Sequence, residues 1–207
     1  MAIITMKKFF ILITMCVLAL VHTSCVTTAS LRILIPEDLI ASDQQYMKKH
    51  YSTDYRWYES SAVLFNYLDS ENCGGTIVEL TNIFMIRSDK DSHDTNIIMF
   101  RHTIEGDEIQ ILPSHWVEED VFIPSNSVDV TFKGAVIKTK DANPKPHSKH
   151  IVLRKQLGPN SVNPQYIFGN NQQLIFVDSY TGELQYESPS FEGTGFATWY
   201  GEWPNNI

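Results

Sequence analysis

The stretch GTIVELTNIFMIR, residues 75 to 87, is rich in β-branched and aromatic residues, and turn-forming residues enclose it. This composition between turn signals is typical of a β-strand. The next such stretch is TNIIMFRHTI, residues 95 to 104, and only the polar segment 88–94 separates the two. A connection this short favours antiparallel pairing, because parallel strands need a crossover of about a dozen residues or more. The sequence therefore predicts an antiparallel hairpin here.

Comparable runs extend to both sides of this hairpin, and they predict most of the fold. In residues 128–140, apolar and polar residues alternate until Gly134 interrupts them, which is typical of a bulge in a strand. One helix is predicted at residues 42–51, because Ser42 and Gln45 form a capping box. Further strands are predicted at residues 31–35, 55–68, 108–112, 150–157, 172–178, 182–187 and 194–203. We therefore expect an antiparallel β-sandwich or barrel-like domain with one short N-terminal helix.

The first 24 residues have the pattern of a secretory signal. Lys7 and Lys8 precede an uncharged apolar run at residues 9–21, and small polar residues then lead to Cys25. A positive start, a short apolar core and a small-residue exit are typical of such signals. A transmembrane helix would need about 20 apolar residues, and this run is shorter. The sequence thus predicts export across the cytoplasmic membrane.

The end of this segment, Thr23-Ser24-Cys25, resembles the lipobox of bacterial lipoproteins, with His22 where that family usually has Leu. The resemblance implies cleavage before Cys25 and attachment of acyl chains such as palmitate to this cysteine. The protein would then be anchored in a membrane of the cell envelope. The alternative is an ordinary signal peptide that is cleaved after Ala29.

The lipoprotein interpretation divides the chain into a signal at 1–24, a short tether at 25–30 and one domain at 31–207. Some bacterial surface lipoproteins carry an acidic run just after the cysteine, and the residues after Cys25, VTTAS, contain none, so the resemblance implies the periplasmic side of a membrane. An acylated Cys25 would leave Cys73 without an intramolecular partner, because Cys16 belongs to the signal. The domain must then depend on its hydrophobic core, without a disulfide framework.

The charge of the chain excludes several partners. Formal net charge is −8, and loss of Lys7 and Lys8 with the signal changes it to −10. Such acidity argues against nucleic-acid binding and against docking on anionic lipid by a basic patch. No phosphate-binding loop, dinucleotide fingerprint or nucleophile elbow occurs, so we predict no cofactor.

Candidate catalytic and metal-binding residues are few. His115, Glu118 and Asp120 form the densest acidic segment, and paired carboxylates could hydrolyse a glycoside if a cleft held them at about 5 to 10 Å. We favour an exposed acidic bend, because neighbouring side chains on an extended chain diverge. His147 and His150 are three residues apart but follow a proline-rich loop, so no metal site is predicted.

The C-terminal segment GFATWYGEWPNNI contains Trp199, Tyr200 and Trp203. We favour a last strand that completes the core. The alternative is an exposed aromatic platform for a glycan or peptide ligand, because Trp and Tyr provide large contact areas.

Three functions therefore remain after the sequence analysis. The favoured one is a membrane-tethered binding or structural domain, whose oligomeric state the sequence leaves open. The alternatives are an envelope or glycan hydrolase that uses the acids of residues 115–120, and a pilus-like protein that assembles by strand exchange. An unpaired sheet edge would be the signature of the last.

Overall fold

A computed structural model describes residues 32–51, 55–71, 74–87, 95–113, 122–143, 146–155, 163–170 and 173–187 of the 207-residue chain. All of them belong to one compact unit that begins at Arg32. The elements in chain order are α1 (Pro36–Tyr51), β1 (Tyr55–Leu64), β2 (Ile77–Arg87), β3 (Thr95–Thr103), β4 (Asp107–Pro113), α2 (Phe132–Thr139), β5 (His150–Lys155), β6 (Pro164–Asn170), β7 (Gln173–Asp178) and β8 (Leu184–Glu187).

The eight described strands form one antiparallel sheet in the order β4-β3-β2-β1-β5-β6-β7-β8. The predicted antiparallel β-rich fold with a short N-terminal helix is therefore confirmed. The hairpin at residues 75–104 is confirmed as β2 and β3, with Ile83 opposite Met99 in its register. The connection from β4 through α2 returns the chain to the centre of the sheet, where β5 pairs with β1.

The two halves of the sheet repeat one order of elements. Each half is a helix followed by a meander of four antiparallel strands, α1 with β1–β4 and α2 with β5–β8. The first strands of the two halves pair at the centre, where Ser61 lies opposite Val152. The sequence shows no repeat, so this relation is visible only in the topology.

The main core lies on the sheet face to which both helices contribute. Helix α1 packs against β1 and β2, and α2 packs against β7. The same buried cluster contains Met47 from α1, Phe132 from α2, and Phe84 and Phe168 from the sheet. The rings of Phe132 and Tyr166 meet edge to face at 5.0 Å between centroids, which fixes α2 on the second half.

Helix α1 begins six residues earlier than the sequence predicts, and the strand predicted at 31–35 is wrong for the described residues 32–35. Pro36 opens the helix, because its fixed φ suits the first helical position, where no backbone donor is needed. Glu37 and Asp38 then face the positive end of the helix dipole. The predicted end is correct, with Lys48, Lys49 and His50 in the last turn.

The second correction concerns residues 128–140, which were predicted as a strand and contain α2. The buried side chains are Phe132, Ala135, Val136 and Thr139, which is helical spacing. Thr131 is the N-cap, and its hydroxyl accepts from the backbone N–H of Gly134 at 2.9 Å. Gly134 is therefore part of a helix cap and not of a bulge.

The remaining strands follow the prediction, with one omission. The strands predicted at residues 55–68, 108–112, 150–157, 172–178 and 182–187 are confirmed as β1, β4, β5, β7 and β8, within a few residues at their ends. Strand β6 was missed, because Pro164 and the Gly169-Asn170 pair make the segment resemble a loop. In the turn before β8, Gly182 has the left-handed conformation, with φ at 72°. The strand predicted at 194–203 lies outside the described residues.

Strand β1 contains an irregularity that determines which side chains meet each face. Its register to β2 shifts between Trp57 and Glu59. Because of this shift, Trp57 lies on the same face as Ala62, although the two are an odd number of residues apart, and both belong to the main core. Tyr58 joins a second cluster on the opposite face with Ile83 and Met99. Bulges of this kind often redirect a side chain next to a site.

Candidate ligand-binding cleft

A cleft of about 420 Å³ lies where the last turns of α1 meet the start of β1. Gln44 and Lys48 line it from the helix. Three consecutive residues of β1 and the segment 122–126 supply the rest: Tyr55, Arg56, Trp57, Phe122, Ile123, Pro124, Ser125 and Asn126. Three separate parts of the chain therefore form its walls.

The segment 122–126 is held against β1 by its backbone. The N–H of Ile123 donates to the carbonyl of Trp57 at 2.7 Å, and the Ile123 side chain is buried. A turn follows, in which both the N–H and the hydroxyl of Ser127 donate to the carbonyl of Pro124, at 3.0 and 2.6 Å. These bonds leave Ser125 and Asn126 exposed at the rim of the cleft.

Cations and an aromatic ring share one wall. The Arg56 guanidinium lies 4.6 Å from the centroid of the Phe122 ring, and the Lys155 ammonium lies 6.0 Å from it. Cation–π contacts at such distances are attractive and restrict where the guanidinium can go. The wall therefore presents Arg56 in a defined position.

A buried chain of hydrogen bonds supports the floor. Trp57 is 6% exposed, and its indole N–H donates to the Ser60 hydroxyl at 3.0 Å. That hydroxyl donates to the Asn82 amide oxygen at 2.5 Å, and the Asn82 amide nitrogen donates to Asp43 at 2.6 Å. Because buried polar groups must find partners, these bonds fix the tryptophan ring relative to α1.

The chain of bonds continues to His102, which lies between two carboxylates. Its Nε2 is 2.9 Å from Asp43 Oδ2, and its Nδ1 is 2.7 Å from Asp107 Oδ1. Burial alone would lower the pKa of His102, but the hydrogen bonds to Asp43 and Asp107 outweigh this and raise its pKa. A carboxylate oxygen lies within hydrogen-bond distance of each ring nitrogen, and this arrangement favours the protonated ring, which donates from both nitrogens.

Arg32 closes this chain of bonds at the surface. Its two terminal nitrogens donate to the two oxygens of Asp107, at 2.6 and 3.0 Å. The hydrogen bond from Arg32 lowers the pKa of Asp107, and that from His102 acts in the same direction. A histidine whose two ring nitrogens are both hydrogen-bonded is a poor general base, so we assign His102 a structural role. With Arg32, Asp43, Asn82 and Asp107 it connects the start of the domain to α1 and to β2–β4.

A second buried charged group lies on the opposite sheet face. Arg154 donates to the Tyr58 hydroxyl at 2.9 Å, and another of its nitrogens is 3.9 Å from the Glu59 carboxylate. Burial raises the pKa of Glu59 to about 6, although Arg154 acts to lower it. This group lies between the apolar clusters of that face.

The structure describes only some of the candidate site residues that the sequence offered. Seven of them lie outside the described residues: Cys25, His115, Glu118, Asp120, Trp199, Tyr200 and Trp203. His147 and His150 are described, and His147 binds Asp69 at 2.7 Å and stacks on Tyr67. Within the described ranges, no group of three or more His, Cys, Asp or Glu side chains could hold a metal ion.

Sequence reasoning missed every residue of the cleft. The available signal was the run YRWY at residues 55–58, in which an arginine stands between aromatic residues at the start of a strand. Nothing in the sequence indicates that Lys48 and Phe122 lie beside it, because these contacts are tertiary.

Comparison with known proteins gave no match: no family model, no curated protein and no solved structure matches the chain. Among the helices in the described part of the chain, none is long and apolar enough to cross a membrane.

Proposed function

We propose that this protein is an extracytoplasmic lipoprotein, anchored through Cys25, whose β-rich domain binds a ligand in the cleft between α1 and β1. The signal pattern of residues 1–24 and the lipobox-like sequence before Cys25 support the anchor. The cleft supports the binding role.

The observation that carries the binding role is the composition of the cleft. Its volume of about 420 Å³ falls within the roughly 300 to 1,000 Å³ of typical ligand pockets. It combines aromatic walls with several polar side chains, which is the usual composition of such pockets. The hydrogen bonds beneath Trp57 give it a rigid floor.

The described residues favour binding over hydrolysis. Among the described residues that line the cleft there is no Asp or Glu, whereas glycoside hydrolysis by the usual route needs two carboxyl groups across the scissile bond. His102 is a buried histidine beside carboxylates, but both of its ring nitrogens are hydrogen-bonded, to Asp43 and Asp107.

The two edges of the described sheet also give little support to strand exchange. Edge strand β4 begins with the charged residues Asp107 and Glu108, and edge strand β8 covers four of the described residues. Charged and short edge strands are devices that hinder pairing with another chain.

The binding role is tested by filling the cleft. We would record amide chemical shifts of the full chain in detergent against a panel of envelope-glycan fragments and short peptides. Ser125→Trp would fill the cleft from its exposed rim and abolish the shifts. Ser42→Trp, at an exposed position of α1 that does not line the cleft, is the control and should leave them unchanged. Absence of any ligand with shifts at cleft residues would reject the proposal.

The anchor is tested separately. Cys25→Ala should release the protein from membranes, and the intact mass should lose the increment of the acyl chains. Detection of a mature N-terminus at Ser30 would instead show cleavage after Ala29. Protection from protease added to intact cells would support the periplasmic side.

A further inference from the structure

The described lining of the cleft has a charge opposite to that of the chain. Formal net charge is −8, yet the ionised side chains among the described lining residues are the cations Lys48 and Arg56. The other polar side chains of this described lining are neutral: Gln44, Tyr55, Ser125 and Asn126. A charged pocket with this composition attracts anions and offers hydroxyl and amide groups to the rest of the ligand.

The two cations are available for a ligand. Both side chains are exposed, and neither takes part in an ion pair with a described carboxylate. Asp43 directly precedes the lining residue Gln44, and its carboxylate could have neutralised a positive charge of the cleft. Its carboxylate is instead buried and bound to Asn82 and His102, so its charge is directed into the interior.

The geometry also restricts how an anion would bind. Arg56 is held over the Phe122 ring at 4.6 Å, which leaves the edge of its planar guanidinium for a bidentate oxyanion. Lys48 reaches the cleft from α1 and would act as a second point charge. The Trp57 indole N–H is used by Ser60, so this ring offers only apolar surface.

We propose that the ligand is a small hydroxylated molecule that carries one carboxylate or phosphate group, of the class of acidic sugars. Arg56 and Lys48 would bind the oxyanion, and Gln44, Ser125 and Asn126 would bind hydroxyl groups. This inference rests on the proposed function, because it requires that the cleft binds a ligand.

The test compares charged and neutral versions of one sugar. Titrations of the full chain in detergent with glucuronate, glucose 6-phosphate and glucose would be followed by amide chemical shifts. We expect at least one of the two anionic sugars to bind about 10-fold more tightly than glucose, as for about 1.4 kcal/mol of charge-assisted hydrogen bonding. The better anionic sugar identifies the oxyanion as carboxylate or phosphate.

Adjacent lysines provide a matched control. Lys48→Glu and Arg56→Gln should each weaken binding of the anionic sugar about 10-fold or more, whereas Lys49→Glu, an equal change at an exposed residue outside the cleft, should change it less than about 2-fold. Equal binding of glucose and the anionic sugars, or an unchanged affinity in Lys48→Glu and Arg56→Gln, would overturn the inference while the binding function stands. If no compound of this set or of the wider panel shifts cleft residues, the proposed function fails and the inference fails with it.

Discussion

At the scale of single residues, the protonation of His102 links α1 to the sheet. The folded-state pKa of His102 is raised, so the folded protein holds this proton more tightly than the unfolded chain does. The stabilisation is complete below about pH 6.5, the ordinary histidine pKa, and is lost as pH rises through the folded pKa. The pKa of Asp107 is lowered, so its contribution is present above its ordinary value of 3.8 and is lost as pH falls.

We therefore predict that the free energy of unfolding decreases as pH rises above about 6.5. Urea denaturation at a series of pH values would measure this decrease, and an NMR titration of the His102 ring would assign it. His102→Gln should remove that part of the pH dependence, although it also lowers stability by leaving Asp43 without its charged partner. Parallel pH profiles for the wild type and this variant would contradict the prediction.

Glu59 gives a prediction of the same sign from the other face of the sheet. Its pKa rises from 4.5 in the unfolded chain to about 6, so its contribution to stability is complete below about pH 4.5 and is lost as pH rises through 6. Glu59→Gln, which mimics the protonated side chain, should raise the free energy of unfolding at about pH 7.5 by about 2 kcal/mol, at 1.36 kcal/mol per unit. The gain should vanish near pH 4.5.

A matched substitution separates this effect from a general loss of acidic charge. Glu79 forms a partly exposed salt bridge with Arg101, at 2.8 Å, on the strand next to Glu59. Glu79→Gln should leave stability unchanged or reduce it by up to about 1 kcal/mol. If Glu59→Gln is destabilising at neutral pH, its ion pair with Arg154 outweighs the cost of burial.

At the scale of elements, the strands were predictable and the helices were only partly so. Runs such as residues 75–87 combine β propensity with short polar connections, so both the strand and its antiparallel pairing can be read locally. Pro36 and the acidic residues after it are local signals of a helix start, but the prediction relied on the capping box at Ser42 and placed a strand before Pro36. Strand β6 pairs on both sides with β5 and β7, and this pairing overrides its flanking Pro and Gly.

Helix α2 shows how one cap can decide between strand and helix. The alternation of apolar and polar residues at 128–132 predicts a strand. In the structure, the Thr131 hydroxyl instead accepts a hydrogen bond from the Gly134 N–H and caps the start of a helix. We predict that Thr131→Ala lowers the free energy of unfolding by about 1 kcal/mol, within a range of about 0.5–2. Thr131→Ser keeps the hydroxyl and should retain most of the stability in urea denaturation. Equal losses for both variants would show that the threonine methyl group, and not the cap, matters.

At the scale of the whole molecule, the cleft could not have been predicted from the sequence. Lys48 and Phe122 stand on opposite sides of Arg56 in the chain, and the folded domain brings them together through α1, β1 and the bond from Ile123 to Trp57. The acidity of the chain was readable, but an acidic total charge conceals a local cationic wall. By contrast, the anchor is a short contiguous pattern, which is why the sequence alone supports a hypothesis about Cys25.

The proposed anchor has a geometric consequence for the whole molecule. Six residues, 26–31, would connect Cys25 to Arg32, where the compact unit begins, and a fully extended chain of this length spans roughly 20 to 22 Å. The domain would therefore remain close to the bilayer, and its net charge of −10 without the signal's two lysines disfavours docking on anionic lipid.

Insertion of about 20 flexible residues after Ser30 should increase the mean reach by roughly 22 to 27 Å. Energy transfer from a dye on Asp141→Cys, in a Cys73→Ser background, to a lipid-bound acceptor would measure the separation. We expect a lower transfer efficiency for the protein with the insertion, because the tether alone would limit the distance between the domain and the bilayer. If the efficiency is unchanged, the domain is held on the membrane by its own surface, and the tether does not set its position.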